Sequence, residues 1–403
     1  MRRKGKKKKM KSSSPFQSLL QNPGIKRALQ DLRRNGYAVV DGAFGDPIAN
    51  GLKDEISNLW RQGELGPNFT QFMRPNHPPE LLQKSSIFEQ SSEFVAPGKW
   101  GENLDRLVST APSILHPIMN HSLSMNELDV PHQGPPPIIK TTIKVQYNTG
   151  NGGCFPLHFD TAPGADSKLV TAIYYLNQSW APPHGGELVL YPFPYEPTMI
   201  EPLWDRLVIF SSPTMLHRVL PSSAPRMCLT MWLYAEEGAE TFPKLGAEKP
   251  FICESYDEKD PQEIARECTS IDTLLSPSLR RHWARLSLAH EWAQSIRDAH
   301  LVEKEDSAID VNSRQKLVEA IEKRHWNEVN IIQRALEKYL VEQHQKDGCL
   351  NSSASASVST NEAPSQIGLG GGKRPSIACD PLALAANYYP INKKKSPGLV
   401  RWF

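Results

Sequence analysis

The sequence predicts an α+β fold. A double-sheet jelly roll, or a barrel, occupies residues 140–240, with N-terminal helices laid on its outside and a C-terminal helical extension. Three observations carry this reading. Residues 140–240 hold short β-branched and aromatic runs (TTIKVQYN, KLVTAIYYLN, GELVLYP, DRLVIFSS, RMCLTMWLYAEE) separated by the turn clusters NTGNGG, TAPGAD, APPHGG and PSSAP. Several of these runs are apolar on both faces. In RMCLTMWLY, Met227, Leu229, Met231 and Leu233 alternate with Cys228, Thr230 and Trp232, so something must cover the outside of the sheet. Residues 277–346 turn helical, and 313–346 contain neither Gly nor Pro.

Taken in order, residues 1–23 have the composition of a disordered tail, a basic run followed by SSSPFQSLLQNP. Ile25, Ala28, Leu29 and Leu32 recur at helical spacing, and Asn35-Gly36 closes that helix. YAVVD (37–41) reads as a strand. Asp46-Pro47 then opens a second helix whose face is Ile48, Leu52, Ile56, Leu59 and Trp60. Residues 64–100, rich in Pro, Gly, Ser and Asn and poor in periodicity, read as a long irregular binding loop, with 66–100 the candidate substrate loop. A helix is expected over 102–122, and GPPPIIK (134–140) is a rigid approach to a strand. The long helical stretch with Leu317, Ile321, Val329, Ile332, Leu336 and Leu340 could be a partner-binding arm, but packing back on its own domain is favoured. NSSASASVST and GLGGGK mark a low-complexity linker over 347–375, and INKKKSPGLVRWF ends the chain with a small basic patch. The expected organisation is a basic tail (1–23), a folded domain (24–245, core strands about 140–236), a helical extension (246–346) and a linker and tail (347–403).

Charge and cysteine usage narrow the function classes. Eight of the first twelve residues are Lys or Arg; without them the body holds 38 basic residues against 44 acidic ones, a net of about −6. A basic body built to grip nucleic acid is therefore disfavoured, and any such contact is left to the N-terminal tail. That tail lacks the apolar segment of a secretory signal and the Arg-rich amphipathic pattern of a mitochondrial presequence. It reads equally as a nuclear address or as a solvated end, so a nuclear or cytoplasmic location is expected. The six cysteines form no CxxC, which fits a reducing compartment and argues against a zinc finger. The longest largely apolar run, Leu169 to Leu176, falls far short of the ~20 residues a membrane helix needs.

The chemistry concentrates at three points. His158 and Asp160 are two apart, so on a strand both side chains reach one side and one metal ion. HxD alone is weak, since a surface His beside a carboxylate is common. His217, in SSPTMLHRVLP, lies 57 residues after Asp160 at the end of another strand. Two imidazoles and a carboxylate form the facial triad of non-haem Fe(II) oxygenases, which leaves positions open for co-substrate and O₂; zinc would draw extra His or Cys. Arg226 follows His217 by nine residues and begins the last strand. A keto acid such as 2-oxoglutarate needs a cation for its distal carboxylate, and Arg grips it bidentately where Lys offers a point charge. Thr230, on the same strand face, can add a hydroxyl. His184 reads as a turn residue, His77, His121 and His132 sit in loops without a partner, and Ser211-Ser212 lack a GxSxG elbow. GLGGGK lacks the Ser or Thr of a phosphate loop.

With HFD, His217 and Arg226 at these spacings, and GGELVLYP and DRLVIF between them, residues 25–240 resemble the 2-oxoglutarate- and Fe(II)-dependent oxygenases. Within them they are most similar to the intracellular, hypoxia-sensing prolyl hydroxylases, on NGYAVVDGAFGDPIANGLKDEISNLWRQGEL and on LVTAIYYLNQSW with Trp180. The resemblance implies a double-stranded β-helix (jelly roll) with the N-terminal helices packed on the major sheet. It implies Fe(II) at His158, Asp160 and His217, and 2-oxoglutarate held by Arg226 and Tyr175. It further implies Tyr147 facing the co-substrate across the pocket, assistance from Thr230, and Leu188 and Trp232 lining the site. Tyr174 and Tyr175 point opposite ways on a strand, and the resemblance picks Tyr175. The implied activity is hydroxylation of a protein residue, most simply proline, with 2-oxoglutarate and O₂ consumed, succinate and CO₂ released, and L-ascorbate as reductant. Arg226 points to intracellular relatives, because the collagen-type enzymes resemble this pattern with Lys there. The nucleic-acid demethylases of the AlkB type carry a second Arg six residues further on, where this chain has Trp232; a halogenase would lack Asp160. Another substrate, a small molecule or nucleic acid, or an inactive scaffold serving as an interaction module, are the competing readings.

Overall fold

The computed structural model describes residues 19–74, 77–125, 131, 134–161, 166–237, 277–301 and 311–350. Of the expected basic tail only residues 19–23 are described, and these fold onto the domain, Leu19 joining the outer core and Asn22 donating to Asp41 O and Gly42 O; the segment 246–276 and everything past 350 lie outside the described residues.

Helix α1 (Ile25–Asn35) buries Ala28 and Leu32, and it stops where Gly36 takes a left-handed φ of 76° and returns its N–H to Leu32 O. Strand β1 (Tyr37–Asp41) and helix α2 (Asp46–Arg61) follow, the helix burying Ala49, Leu52, Ile56 and Leu59. Strands β2 (Gly66–Arg74) and β3 (His77–Ser91) come next, then α3 (Glu102–Leu123). The strand-rich part comprises β4 (Ile138–Asn148), β5 (Phe155–His158), β6 (Lys168–Tyr175), β7 (Leu188–Tyr191), β8 (Thr198–Ile200), β9 (Arg206–Ser211), β10 (Leu216–Val219) and β11 (Arg226–Ala235). Helices α4 (Pro277–Ser287), α5 (Ala289–Leu301) and α6 (Val311–Leu350) complete the described chain.

The strands form two antiparallel sheets. The larger has seven strands in the order β1-β9-β6-β11-β4-β3-β2, and the smaller has four in the order β5-β10-β7-β8. Together they make a double-stranded β-helix, or jelly roll. The period-two alternation of β11 sorts its side chains. Leu229, Met231 and Leu233 join a cluster with α1, α2 and α3, while Cys228 joins Tyr175, Leu188, Phe210 and Val219 between the sheets. The helices thus supply the outer cover that the doubly apolar strands require.

Most of the expected irregular loop over 64–100 is instead a β-hairpin, β2 (Gly66–Arg74) with β3 (His77–Ser91). β2 pairs with β3, and β3 pairs with β4 from Ile87↔Asn148 to Ser91↔Lys144, which extends the major sheet. The Pro and Ser content of this stretch hid it, because the hairpin is held by pairing of β2 with β3 and of β3 with β4 rather than by its own propensity, and irregularities near Pro67 and Phe72 are absorbed as bulges. On the other side, α5 lies against β5: Ser295 Oγ accepts the Leu157 N–H at 3.0 Å, and the Trp292 and Phe159 rings approach to 6.3 Å. The helical extension therefore packs on its own domain, with Val318, Ile321, Val329 and Ile332 of α6 buried.

Asp205 ties the outer helices to the sheet. This buried carboxylate accepts the Phe44 and Gly45 N–H groups just before α2, each at 2.8 Å, and the Tyr174 hydroxyl at 2.6 Å. Its backbone takes a left-handed φ of 55°, which Asp tolerates better than most residues. Asp205→Ala strips three donors of their partner at once and should cost about 3 kcal/mol of stability by urea denaturation; an unchanged midpoint would contradict this role.

Candidate active site

One end of the gap between the sheets gathers His158, Asp160 and His217. One ligand atom from each lies within 4.8 Å of the others. His158 ends β5 and His217 lies on β10, and the two are direct cross-strand partners with ring centroids 4.2 Å apart. Asp160 is not on a strand as expected: β5 stops at His158, and Asp160 sits in the bend beyond it. Its convergence is enforced by side chains. Thr171 donates to Asp160 Oδ2 at 2.5 Å and Trp232 Nε1 at 3.3 Å. This turns Oδ1 toward the histidines, 3.6 Å from His158 Nε2 and 3.7 Å from His217 Nε2.

Both imidazoles are oriented alike. His158 Nδ1 donates to Pro156 O at 2.7 Å and His217 Nδ1 to Met215 O at 3.0 Å, leaving each Nε2 lone pair facing the shared point. Burial, with the His158 imidazole next, pushes His217 down to about 4, so it is neutral at pH 7 as a ligand must be. Burial pushes the Asp160 carboxyl up, but the two imidazoles and the Thr171 hydrogen bond outweigh it and hold it well below the usual carboxylate range. His158 is 36% exposed and His217 only 4%, so the site has an open mouth and a closed floor.

Behind this trio the inner face of β11 carries Arg226, Cys228, Thr230 and Trp232 in succession. Arg226 is buried, donating through Nε to Gly186 O at 2.9 Å and through Nη1 to Cys228 Sγ at 3.5 Å. Burial works against its charge, yet Cys228 and Tyr175 hold its pKa above the ordinary value. Its guanidinium carbon lies 5.0 Å from the centroid of the Tyr175 ring. The Tyr175 hydroxyl is buried without a hydrogen-bond partner, and burial, eased by Arg226, pushes it up to about 12. A buried phenol lacking an acceptor beside a buried guanidinium fits a carboxylate ligand. Tyr174 points the other way, onto Phe44 and Asp205. Leu188 is buried between the sheets beside Tyr175.

Tyr147 corrects the sequence reading. It pairs with Met227 on the helix-facing side of β4, packs on the outer core and stacks on Trp60 at 4.9 Å, so it cannot face a co-substrate between the sheets. Strand alternation gives the inner face to its neighbours. Gln146 sits opposite Cys228 there, and Asn148 binds Gly153 O and the Gly150 N–H to shape the GNGG turn. Sequence reasoning also missed Thr171, hidden inside a run apolar on both faces, and Gly186. Gly186 has a φ of 78°, and an added Cβ would sit 2.9 Å from Arg226 Cδ; the paired glycines of APPHGG were the available signal.

Residues 144–234, which include every one of these inner-face residues, match the family model of the 2OG-Fe(II) oxygenase superfamily. This stretch is therefore similar to an oxygenase domain of this class, and that class implies Fe(II), 2-oxoglutarate and O₂. More particularly, the chain's relatives are prolyl hydroxylases. It is 26% identical over 261 residues to the hypoxia-inducible factor prolyl hydroxylase of Caenorhabditis elegans, covering 62% of this chain and 33% of that protein. It is 43% identical over 101 residues to human prolyl hydroxylase EGLN3, covering 24% of this chain and 41% of the relative. The matches thus span a third to two fifths of the length of these curated relatives. Among solved structures, a prolyl 4-hydroxylase from Phytophthora capsici superposes with a TM-score of 0.50 at 25% identity, covering 83% of this chain and 98% of the other.

Two outcomes are expected. Gly186→Ala should weaken 2-oxoglutarate binding about tenfold or more by displacing Arg226, as read by calorimetric titration; wild-type affinity would show that Arg226 does not depend on that close approach. Because His217 binds its proton less readily when folded (about 4) than when unfolded (6.5), the unfolded chain binds more protons between those values. Stability of the metal-free protein should therefore fall as pH drops from 6.5 toward 4. His217→Asn should flatten that slope in urea melts across the range, and an equally steep slope in the variant would exclude His217 as a source.

Proposed function

We propose that this protein hydroxylates a prolyl residue of a protein substrate. In this reading Fe(II) is held by His158, Asp160 and His217, and the distal carboxylate of 2-oxoglutarate by Arg226 and Tyr175. The observation that carries it is the convergence of the three ligand atoms, with the unpartnered Tyr175 hydroxyl and Arg226 on the same inner surface. When bound, the iron, 2-oxoglutarate and O₂ supply the oxidising power that puts one oxygen into a C–H bond and releases succinate and CO₂.

The chain's own residues do the positioning. The Nδ1 hydrogen bonds of both histidines turn their Nε2 atoms toward the shared point. Thr171 and Trp232 occupy one oxygen of Asp160, so the other serves as a single-point ligand. Leu188, Ile173, Phe210 and Val219 keep the interior dry, which strengthens the grip of Arg226 on an anion. Thr230, on the inner face between Cys228 and Trp232, adds a hydroxyl, and Trp232 lines the wall. The partly exposed His158 sets the side from which a peptide enters. Prolyl specificity rests on the kinship to prolyl hydroxylases, and L-ascorbate is the proposed reductant.

In this reading residues 24–245 are the catalytic unit, 246–346 its helical extension, and 347–403 a linker and tail. The Lys-rich segment within 1–23 favours a nuclear or cytoplasmic location and is the place for any nucleic-acid contact. Among the described residues no helix is long and apolar enough to cross a membrane.

The test is succinate release with Fe(II), 2-oxoglutarate and O₂ against a peptide library, followed by mass spectrometry for added oxygen on proline. His217→Ala should abolish metal binding and turnover with the fold retained by circular dichroism. Arg226→Lys should weaken 2-oxoglutarate at least tenfold while leaving metal affinity unchanged. Oxygen found only on nucleic acid or a small molecule would displace the prolyl assignment, and metal binding without turnover of any substrate would leave an interaction module.

A further inference from the structure

Helices α4 and α5 reach past the sheet surface to the segments that bear the proposed metal ligands. The Arg281 guanidinium on α4 donates through Nη1 to Thr161 O at 2.7 Å and to Pro213 O at 2.8 Å. Its carbon lies 4.1 Å from the centroid of the Phe159 ring. Thr161 directly follows Asp160, Phe159 separates His158 from Asp160, and Pro213 precedes His217 by four residues. One side chain therefore bridges the backbone just beyond the first two ligands to the backbone just before the third.

That bridge falls where the sheet gives no help. β5 and β10 share only the pairs His217↔His158 and Val219↔Phe155, with an irregularity between them. Past His158 the ladder ends, and Asp160 lies beyond it. The Asp160 carboxylate is steered by Thr171 and Trp232, and its carbonyl accepts from Lys168 Nζ at 3.3 Å. Those contacts all come from the major sheet. Arg281 supplies a tie from the opposite side, joining the Asp160 segment to the His217 segment across the minor sheet. Charge-assisted bonds from a planar guanidinium are both strong and directional.

We propose that Arg281 is a positioning residue for the metal centre. It fixes the separation of the Asp160 and His217 segments, so that the three ligands are preassembled before a metal arrives. This makes the α4–α5 layer part of the metal site's framework and not merely a cover. The inference rests on the reading of His158, Asp160 and His217 as metal ligands.

The test is titration of the full-length, metal-free protein with Mn(II), followed by the electron paramagnetic resonance signal of free Mn(II), with thermal unfolding in parallel. The proteins are wild type, Arg281→Gln, Arg281→Lys and Arg297→Gln. Arg297 sits on α5 and pairs with Glu322 inside the helical layer, away from the ligand segments, so it controls for general loosening of that layer. Loss of a contact that orients metal ligands costs roughly 10–100-fold in metal affinity. Arg281→Gln should weaken Mn(II) binding at least tenfold, Arg281→Lys by a smaller factor, and Arg297→Gln not at all, even where both glutamine variants lower the melting temperature alike. Wild-type affinity in Arg281→Gln, or an equal loss in Arg297→Gln, would overturn the proposal. Should Arg281→Gln fail to fold, Arg281→Lys decides, and wild-type affinity there overturns it as well. Failure of the wild-type protein to bind Mn(II) would instead remove the metal reading of the triad, a result distinct from the others, and the positioning role with it.

Discussion

The antiparallel register of β5 against β10 is the constraint on which the site depends. It sets His158 directly opposite His217, so two imidazoles from distant parts of the chain stand side by side. Each ring is then turned by a carbonyl two residues earlier in the chain, a local bond that needs no distant partner. A slip of one residue would send one imidazole to the opposite face of the minor sheet, toward α5, and no adjustment of Asp160 could compensate. The rest of the fold serves this register: β7 extends the ladder beyond β10, the major sheet closes the other side, and the helices on both outer faces keep the two sheets pressed together.

Much of this was legible in the sequence, for reasons tied to particular residues. The alternation in β11 showed that both of its faces are apolar and that the outside of the sheet needs a cover, and the helices supply one on a strand that is regular through Leu233. His158, His217 and Arg226 stood out because their types and spacing have few joint explanations. The hairpin β2–β3 was not legible, because β3 forms by pairing with β4 and β2 by pairing with β3, and pairing leaves no trace in a Pro- and Ser-rich composition. Tyr147 was misplaced for a related reason: a likeness between motifs transfers residue types, whereas the face a side chain occupies depends on counting from the pairing register, and Met227 opposite it already lies on the helix side. The contacts of Asp160 were equally hidden, since Thr171 and Trp232 come from two other strands and no local pattern announces them.

Both outer layers are tied to the sheets by polar contacts as well as apolar ones. On the major sheet a largely apolar cover is fastened by the Asp205 carboxylate to Phe44 and Gly45, by His116 to Thr141, and by Asn120 to the Ile138 backbone. On the minor sheet the fastening is polar and repeated: Ser295 to the β5 backbone, Arg218 to Asp298, and Tyr191 to Glu291. An apolar cover tolerates small shifts, because dispersion contacts are many and individually weak, whereas hydrogen bonds and ion pairs set a definite position. Both sheets are therefore held in a definite position by polar ties, and on the minor sheet those ties reach the two strands that carry His158 and His217.

The strict alternation of β11 has an implication for natural variation. From Arg226 to Leu233, neighbouring codons answer to different demands, one to the solidity of the scaffold and the next to the candidate site. Polymorphisms on this strand should fall into two interleaved groups by parity, odd positions governing abundance in the cell and even positions governing turnover per molecule.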